Sequence, residues 1–482
     1  MRTNASTVCV LVAFLIAAYF SAQNLRTWPA RLSYPGEESY ESVALAEMIH
    51  LRQGVPIYDS AAVEHYDAAT YGPLYYIVGG RLLNGHPSYS PLRLLSAVGM
   101  LGCAVGCGLL AFWLTDSYLA ALLSPMVFLA FGMVTGRGIQ ALSDGVTLLL
   151  MFSGFLVAYR FQAGRALLLA VPLLVAGVYC KLQYLAGPLA ILVFLLWEKR
   201  YQLAAQFAGL LAFCGLGLFA LFQWIVFSGQ AFWRHFLLSQ VSLFSWHRFG
   251  HGLFILAFLF FLPLLFSIEY LQVYPNKLLT CYLLIGVGLG ALTYSKDGSG
   301  VHYFFESVLA VSTILPVAIV RQLNARPYPA HLVLVLGVML FAGQWLTNPP
   351  PRPIDFAKHN AMQSFLRQSF APHAESLSPS PGELLQAGLE TPFSGLFQLA
   401  QLAHRGMLSD RELAAQIRAG RFSVIVLSFD LAKERDPYWL NFYLTPSTID
   451  AINRSYSIAT SLDMPAPEKQ RPEDRYYIYV RR

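Results

Sequence analysis

The chain has 482 residues, of which 56% are hydrophobic and only 12% charged. Soluble domains carry about 25% charged residues, so an ordinary soluble globular fold is excluded; lipid can hide this much apolar surface. The net charge of +6 is small for the length and argues against a nucleic-acid binder.

The first element is the apolar run Val8 to Phe20, behind Arg2 and ahead of Ser21-Ala22-Gln23. Its outline is that of a secretory signal peptide, but the charge pattern of the whole chain keeps it as a span. A membrane helix needs about 20 mostly apolar residues, and about eleven runs approach that length. They lie at 7–23, 92–114, 118–135, 145–160, 166–180, 183–197, 203–228, 252–269, 278–295, 303–320 and 330–347. The six cysteines sit in apolar stretches without a CxxC pair, so they read as small packing residues rather than a disulfide framework or zinc site.

If the runs alternate, Arg2, Arg160, Arg165, Lys199, Arg200, Lys277, Arg321 and Arg326 all fall on one face. Short loops rich in Lys and Arg mark the cytoplasmic side. Three polar regions then face outward: the loop 24–91, the segment 229–251, and everything after about 348. The expected organisation is a transmembrane domain over 1–348, including the first outer loop, and an extracytoplasmic α/β domain over 349–482. The protein is expected in the cytoplasmic (inner) membrane as a multi-pass chain with a cytoplasmic N-terminus.

In the first outer loop, Ser39 to Leu51 has helical spacing that suits an interfacial helix. Tyr71 to Leu83 is apolar but too short to span, and reads as an interfacial or re-entrant helix. Ser143-Asp144 opens a span, where capping and substrate contact are both open roles. Lys181, between two apolar runs, is an ionisable group at membrane depth, which is expensive and therefore a functional candidate, with snorkelling as the alternative. The turn Lys296-Asp297-Gly298-Ser299-Gly300 precedes His302, Tyr303 and Glu306. In 229–251, Arg234, His235, His247, Arg248 and His251 suit an ordinary interfacial belt or a headgroup or phosphate contact; the histidine spacing fits no compact metal site.

Past Pro349-Pro350-Pro351 the composition becomes that of a soluble domain. Ser409-Asp410-Arg411-Glu412 predicts a capping box opening a helix to about Ala419, which Gly420 ends. Phe422 to Phe429 predicts a buried strand, Thr445-Pro446 a helix start, and Tyr476 to Val480 a closing strand.

Several of these residues carry a resemblance. Glu37-Glu38-Ser39-Tyr40, then Gly54-Val55-Pro56-Ile57-Tyr58, then Tyr71-Gly72-Pro73-Leu74-Tyr75-Tyr76, resemble the first outer loop of bacterial GT-C glycosyltransferases, such as the protein O-mannosyltransferases and the aminoarabinose transferases of lipid A. Ser143-Asp144, Lys181 with Gln183, and Gly298 to Glu306 follow in matching order, although relatives often have Pro before that Asp and Asn in place of His302. Gly395 to Ala403 and Gly420 to Leu427 resemble the outer tail of one branch.

The resemblance implies an all-α polytopic fold with a small C-terminal α/β domain. It implies an inverting enzyme that moves sugar from a polyprenyl-phosphate-linked donor to a lipid, glycan or protein acceptor in the cell envelope. Glu38, or Glu37, is the implied general base, because an acceptor hydroxyl attacks well only as its proton is removed. Lys181, Lys296 and His302 are implied near the carrier phosphate, Asp144 near donor or acceptor, with Tyr58, Tyr71, Tyr303 and Glu306 also lining the substrate site. No cofactor is required by this reading, and a divalent cation is left open. The competing classes are a flippase of lipid-linked sugars, which would favour paired halves or interrupted helices, and a noncatalytic membrane scaffold.

Overall fold

The computed structural model describes residues 2–37, 40–58, 65–238, 244–296, 298–325, 330–347, 355–434, 441–463 and 475–482. The chain forms two compact units. Unit 1 holds Met1–Arg31, Leu94–Leu218 and Leu243–Pro351; unit 2 holds Leu32–Arg93, Phe219–Ser242 and Arg352–Arg482.

Unit 1 is a multi-pass helical bundle. Among the described residues, six helical segments are long and apolar enough to cross a membrane: Thr7–Ser33, Ser90–Thr115, Tyr201–Val226, Trp246–Val273, Lys277–Tyr294 and Val301–Arg321. Tyr118–Ala130, Arg165–Val178, Ala186–Trp197 and Ala330–Gln344 are apolar but shorter. The run expected at 118–135 is split at Phe131, which takes an extended conformation behind Pro125. The split frees carbonyls that lipid cannot satisfy. Asn24 Nδ2 takes the Leu129 and Ala130 carbonyls at 3.1 and 3.0 Å, and Gln344 Nε2 reaches the Ala130 carbonyl at 2.9 Å. The first run thus packs into the bundle through Asn24.

Two features of the bundle bear on function. Three of the basic residues read from the sequence reach neighbouring loops of that set: Arg200 donates to the Ala163 carbonyl at 3.0 Å, Lys277 pairs with Glu198 at 2.6 Å, and Arg321 lies over the Tyr274 ring; Arg326 lies outside the described residues. At Gly99 and Gly145, a Cβ would strike the backbone of the facing helix, so Ser90–Thr115 and Asp144–Arg160 approach main chain to main chain. Small residues permit such contact in membranes. Ser96 Oγ donates to the Leu142 carbonyl at 2.9 Å and fixes the turn that delivers Asp144.

Unit 2 is built on a four-stranded sheet, order β1-β2-β4-β3 (β1 Ser376–Leu377, β2 Val424–Leu427, β3 Tyr456–Asp463, β4 Arg475–Arg481). β1 runs parallel to β2; β4 is antiparallel to β2 and β3. Side chains alternate across β2. Ile425 and Leu427 face a layer with Ile417, Phe422 and Leu399, while Val424 and Val426 face one with Met362, Leu366 and Leu384. The helix Arg411–Ala419 ends at Gly420, whose φ of 77° suits glycine. Asp410 holds its N-cap position without capping; its carboxylate accepts instead from Thr445 and Ser447.

The first-loop helices Glu41–Arg52 and Pro73–Leu83 belong to unit 2. The first is not a surface helix with one wet face, as its spacing suggested: Glu41, Ser42, Leu45, Glu47, Met48 and His50 are all buried. Tyr66 and Ala68 join the core under β2, and Tyr66 bridges in parallel to Phe393.

Candidate functional site

Each unit carries a buried polar constellation. In unit 1, Asp144 opens its helix, and neither it nor Ser143 accepts a helix N–H, so the capping role does not hold. The carboxylate turns inward instead. Its Oδ1 pairs with Lys181 Nζ at 2.7 Å and accepts from the Tyr184 hydroxyl. Lys181 therefore does not snorkel; its side chain is half-buried over the Tyr184 ring. Tyr184 also donates to the His302 carbonyl at 3.3 Å, tying the glycine-rich turn to the same cluster. Gly300 lets the His302 ring and the Arg137 guanidinium come close: a Cβ there would lie 3.0 Å from His302 Nδ1 and 3.9 Å from Arg137 Nη2.

Three buried atoms of these residues have no hydrogen-bond partner among the described residues: Asp144 Oδ2, His302 Nδ1 and Ser143 Oγ; Gln140 Oε1 and Gln183 Nε2, nearby in sequence, have none either. Buried polar atoms are normally satisfied. Such unpartnered donors and acceptors can pair with a polar ligand. Glu306 is different. Its carboxylate accepts the N–H groups of Ala186 and Gly187 at 3.1 and 3.3 Å and caps the Ala186–Trp197 helix. Tyr303 is half-buried beside His302. Among the described residues no cluster side chain bonds Lys296, whose backbone pairs with Phe244; burial lowers the pKa of its ammonium.

In unit 2, Arg93 gathers the first loop. It pairs with Glu41 and donates to the carbonyls of Tyr34 at 2.6 Å and Gly36 at 2.7 Å. This fixes Glu37, whose Oε1 accepts the Ser42 N–H at 3.2 Å and whose own N–H donates to Glu383 Oε1 at 2.6 Å. Gln363 Nε2 donates to Glu383 Oε2 at 3.2 Å, and His359 Nδ1 lies 3.4 Å from the same oxygen. Burial pushes the Glu37 carboxyl up to about 8, with the nearby Glu383 charge adding to it. Burial likewise raises Glu383 to about 7. Glu38, the other candidate base, lies outside the described residues, as does Asp297.

A second set in unit 2 was not singled out from the sequence. Glu47 accepts from the Tyr76 hydroxyl at 2.5 Å and the Ala69 N–H at 2.7 Å. Asp67 accepts from His50 at 2.9 Å and Ser394 Oγ at 2.5 Å. Burial and the Asp67 charge hold Glu47 up at about 8; burial opposes protonation of His50, but Asp67 outweighs it and raises the ring. Glu47 and His50, three apart on one buried helix face, were the available signal. Tyr58 is buried against Phe227, Phe232 and His235, and Tyr71 packs on Tyr75 and Tyr76.

The histidines of 229–251 disperse: His235 bonds the Ala68 carbonyl at 3.2 Å and His251 the Tyr294 hydroxyl at 2.9 Å. Arg248 holds Ser299 at 3.1 Å. Among the described residues, no three His, Cys, Asp or Glu side chains converge as a metal set.

No known family profile and no curated protein matches the sequence. Solved structures do. ArnT from Cupriavidus metallidurans in the apo state is similar at a TM-score of 0.59 and 12% identity, over 96% of this chain and 97% of that one. The same protein bound to undecaprenyl phosphate gives 0.55 and 13%, over 98% and 96%. The apo oligosaccharyltransferase of Archaeoglobus fulgidus gives 0.51 and 11%, over 99% of this chain and 74% of that one. At these identities the likeness is one of fold. The chain has the fold of the GT-C glycosyltransferases.

Proposed function

We propose that this chain is an inverting membrane glycosyltransferase that moves a sugar from a polyprenyl-phosphate carrier to an acceptor hydroxyl on the extracytoplasmic face of the inner membrane. The basic loops of unit 1 mark the cytoplasmic side in this reading, so the C-terminal region 349–482 is extracytoplasmic and takes part in choosing a lipid, glycan or protein acceptor. That the fold neighbour ArnT binds undecaprenyl phosphate supports the choice of carrier.

The observation that carries the proposal is the carboxyl of Glu37. Half-buried and held up at about 8, it is poised near the working pH, where a general base combines ionised population with proton affinity. Glu38, next to it, is the alternative. The acceptor oxygen attacks the anomeric carbon from the face opposite the phosphate. Its proton passes to the carboxylate, the new C–O bond forms, and the bond to the carrier phosphate breaks with its electron pair leaving on polyprenyl phosphate. Phosphate is a good leaving group, so no acid is needed at that end. Lys181, His302 and Lys296 would stabilise its charge, and Asp144, already paired with Lys181, would hold that ammonium in place.

The test is sugar transfer in membranes containing comparable amounts of folded protein. Glu37→Gln, Glu38→Gln and the double variant are compared; loss of the base costs about 10²–10⁴ in rate. Transfer that survives the double change would overturn the proposal.

A further inference from the structure

Unit 2 contains a cleft of about 540 Å³ that none of the roles above uses. The Phe356–Ser369 helix forms one wall with Asn360, Ser364 and Arg367, which share a helix face and are all exposed. Ser33, Ser88 and Ser90 form another. The volume falls among small-molecule sites of about 300–1,000 Å³.

Its place along the chain sets its depth. Ser33 is the last residue of the apolar segment Thr7–Ser33, and Ser90 is the first of Ser90–Thr115, both long and apolar enough to cross a membrane. A cleft lined by the ends of two spans lies at the level of lipid headgroups. The Pro73–Leu83 helix, which leads into the loop before Ser88, turns Val78 and Leu82 outward, 44% and 47% exposed, as suits a surface that touches lipid.

Charge narrows the ligand. The lining holds one guanidinium and no carboxylate. Arg367 Nη2 donates to the Gln386 carbonyl at 2.8 Å, and among the described residues no carboxylate pairs with this side chain. Glu383 is buried behind the wall: its oxygens accept from the Glu37 N–H at 2.6 Å and Gln363 Nε2 at 3.2 Å, and it does not line the cleft. Burial and the Arg367 charge push the His359 ring down to about 4, so it stays neutral. An accessible guanidinium among serine hydroxyls and an amide suits a phosphate, whose oxygens take charge-assisted hydrogen bonds. A choline or ethanolamine headgroup would bring its cation to a lining without an anion. A glycerol headgroup brings hydroxyls, which serines and amides can meet.

We propose that this cleft binds an anionic phospholipid of the phosphatidylglycerol type, with Arg367 on the phosphate and Ser88, Ser90, Asn360 and Ser364 on its oxygens and on the headgroup hydroxyls. One such lipid ties the Phe356–Ser369 helix to the bilayer surface. The proposal does not depend on the transferase reading.

The experiment is native mass spectrometry of the full chain released from nanodiscs that hold phosphatidylglycerol and phosphatidylcholine in equal amounts. Retained phosphatidylglycerol is expected to exceed phosphatidylcholine. The excess should fall about tenfold in Arg367→Gln, which removes the charge, and in Ser364→Trp, which fills the cleft from an exposed position. Equal retention of the two lipids, or an excess that survives either change, would overturn the proposal. A second arm adds millimolar inorganic phosphate before release. The excess is expected to persist; its loss would make the cleft a site for free phosphate and overturn the headgroup assignment. No sugar donor enters this assay, so its failure and a failure of the transferase reading are distinguishable.

Discussion

The two units bury charge in different ways. In unit 2, Arg93 meets Glu41 and two carbonyls, Glu47 meets Tyr76 and Ala69, and Asp67 meets His50 and Ser394. In unit 1, the Asp144–Lys181 pair stands beside Asp144 Oδ2, His302 Nδ1 and Ser143 Oγ, which have no partner among the described residues. A satisfied network fixes one structure, whereas buried groups left short of partners cost free energy that a ligand can recover. The contrast is between the charged groups of the Arg93 and Asp67 networks, which meet partners, and the Asp144 cluster, which in the proposed function would take its missing partners from a ligand.

The sharpest way to break that contrast is Arg93→Met. It strands Glu41 in the interior and frees the carbonyls of Tyr34 and Gly36, so unfolding should become easier by about 3–5 kcal/mol. Thermal unfolding in nanodiscs measures this. A variant as stable as the parent would mean the network is not what holds the first loop. Next in size is His302→Ala, which removes a ring nitrogen that has no partner among the described residues. Transfer should fall about tenfold, or ~1.4 kcal/mol in transition-state stabilisation, while the melting temperature stays near the parent value. Equal losses in both readouts would make His302 a packing residue.

The smallest effect is on pH dependence. The Glu37 and Glu47 carboxyls stand at about 8 against an ordinary 4.5. The folded chain keeps these protons after the unfolded chain has released them, so stability should fall as pH climbs through that window. Transfer, which needs the ionised base, should rise over the same range and level off above it. Melting temperature and transfer rate measured on the same samples check the opposite slopes; parallel slopes would separate Glu37 from catalysis.

Local signals identified much of the fold. The apolar runs before 348 fall largely on helix, Gly420 ends its helix, and Thr445 caps the Pro446–Ser455 helix by accepting the Thr448 N–H at 3.2 Å. The strands at 424–427 and 475–481 lie where apolar and alternating residues predicted them. β3 escaped notice because Ser457, Ile458 and Ala459 are all exposed, leaving no buried stripe to read. Phe131 escaped because a hydropathy run is blind to a break whose carbonyls are satisfied by a side chain about a hundred positions away in sequence, as Asn24 satisfies Ala130.

The sequence by itself determined that this is a multi-pass helical chain with an α/β tail, because composition and periodicity act over a few turns. It also placed Glu37, Asp144, Lys181 and His302 among the residues to watch. Only the tertiary structure decided what those groups meet: that Asp144 takes Lys181 rather than a helix end, that Glu306 caps a helix more than a hundred residues away, and that Glu383 stands against Glu37. Charge, burial and hydrogen bonding are properties of neighbours in space, and neighbours so far apart along the chain leave no local pattern to read.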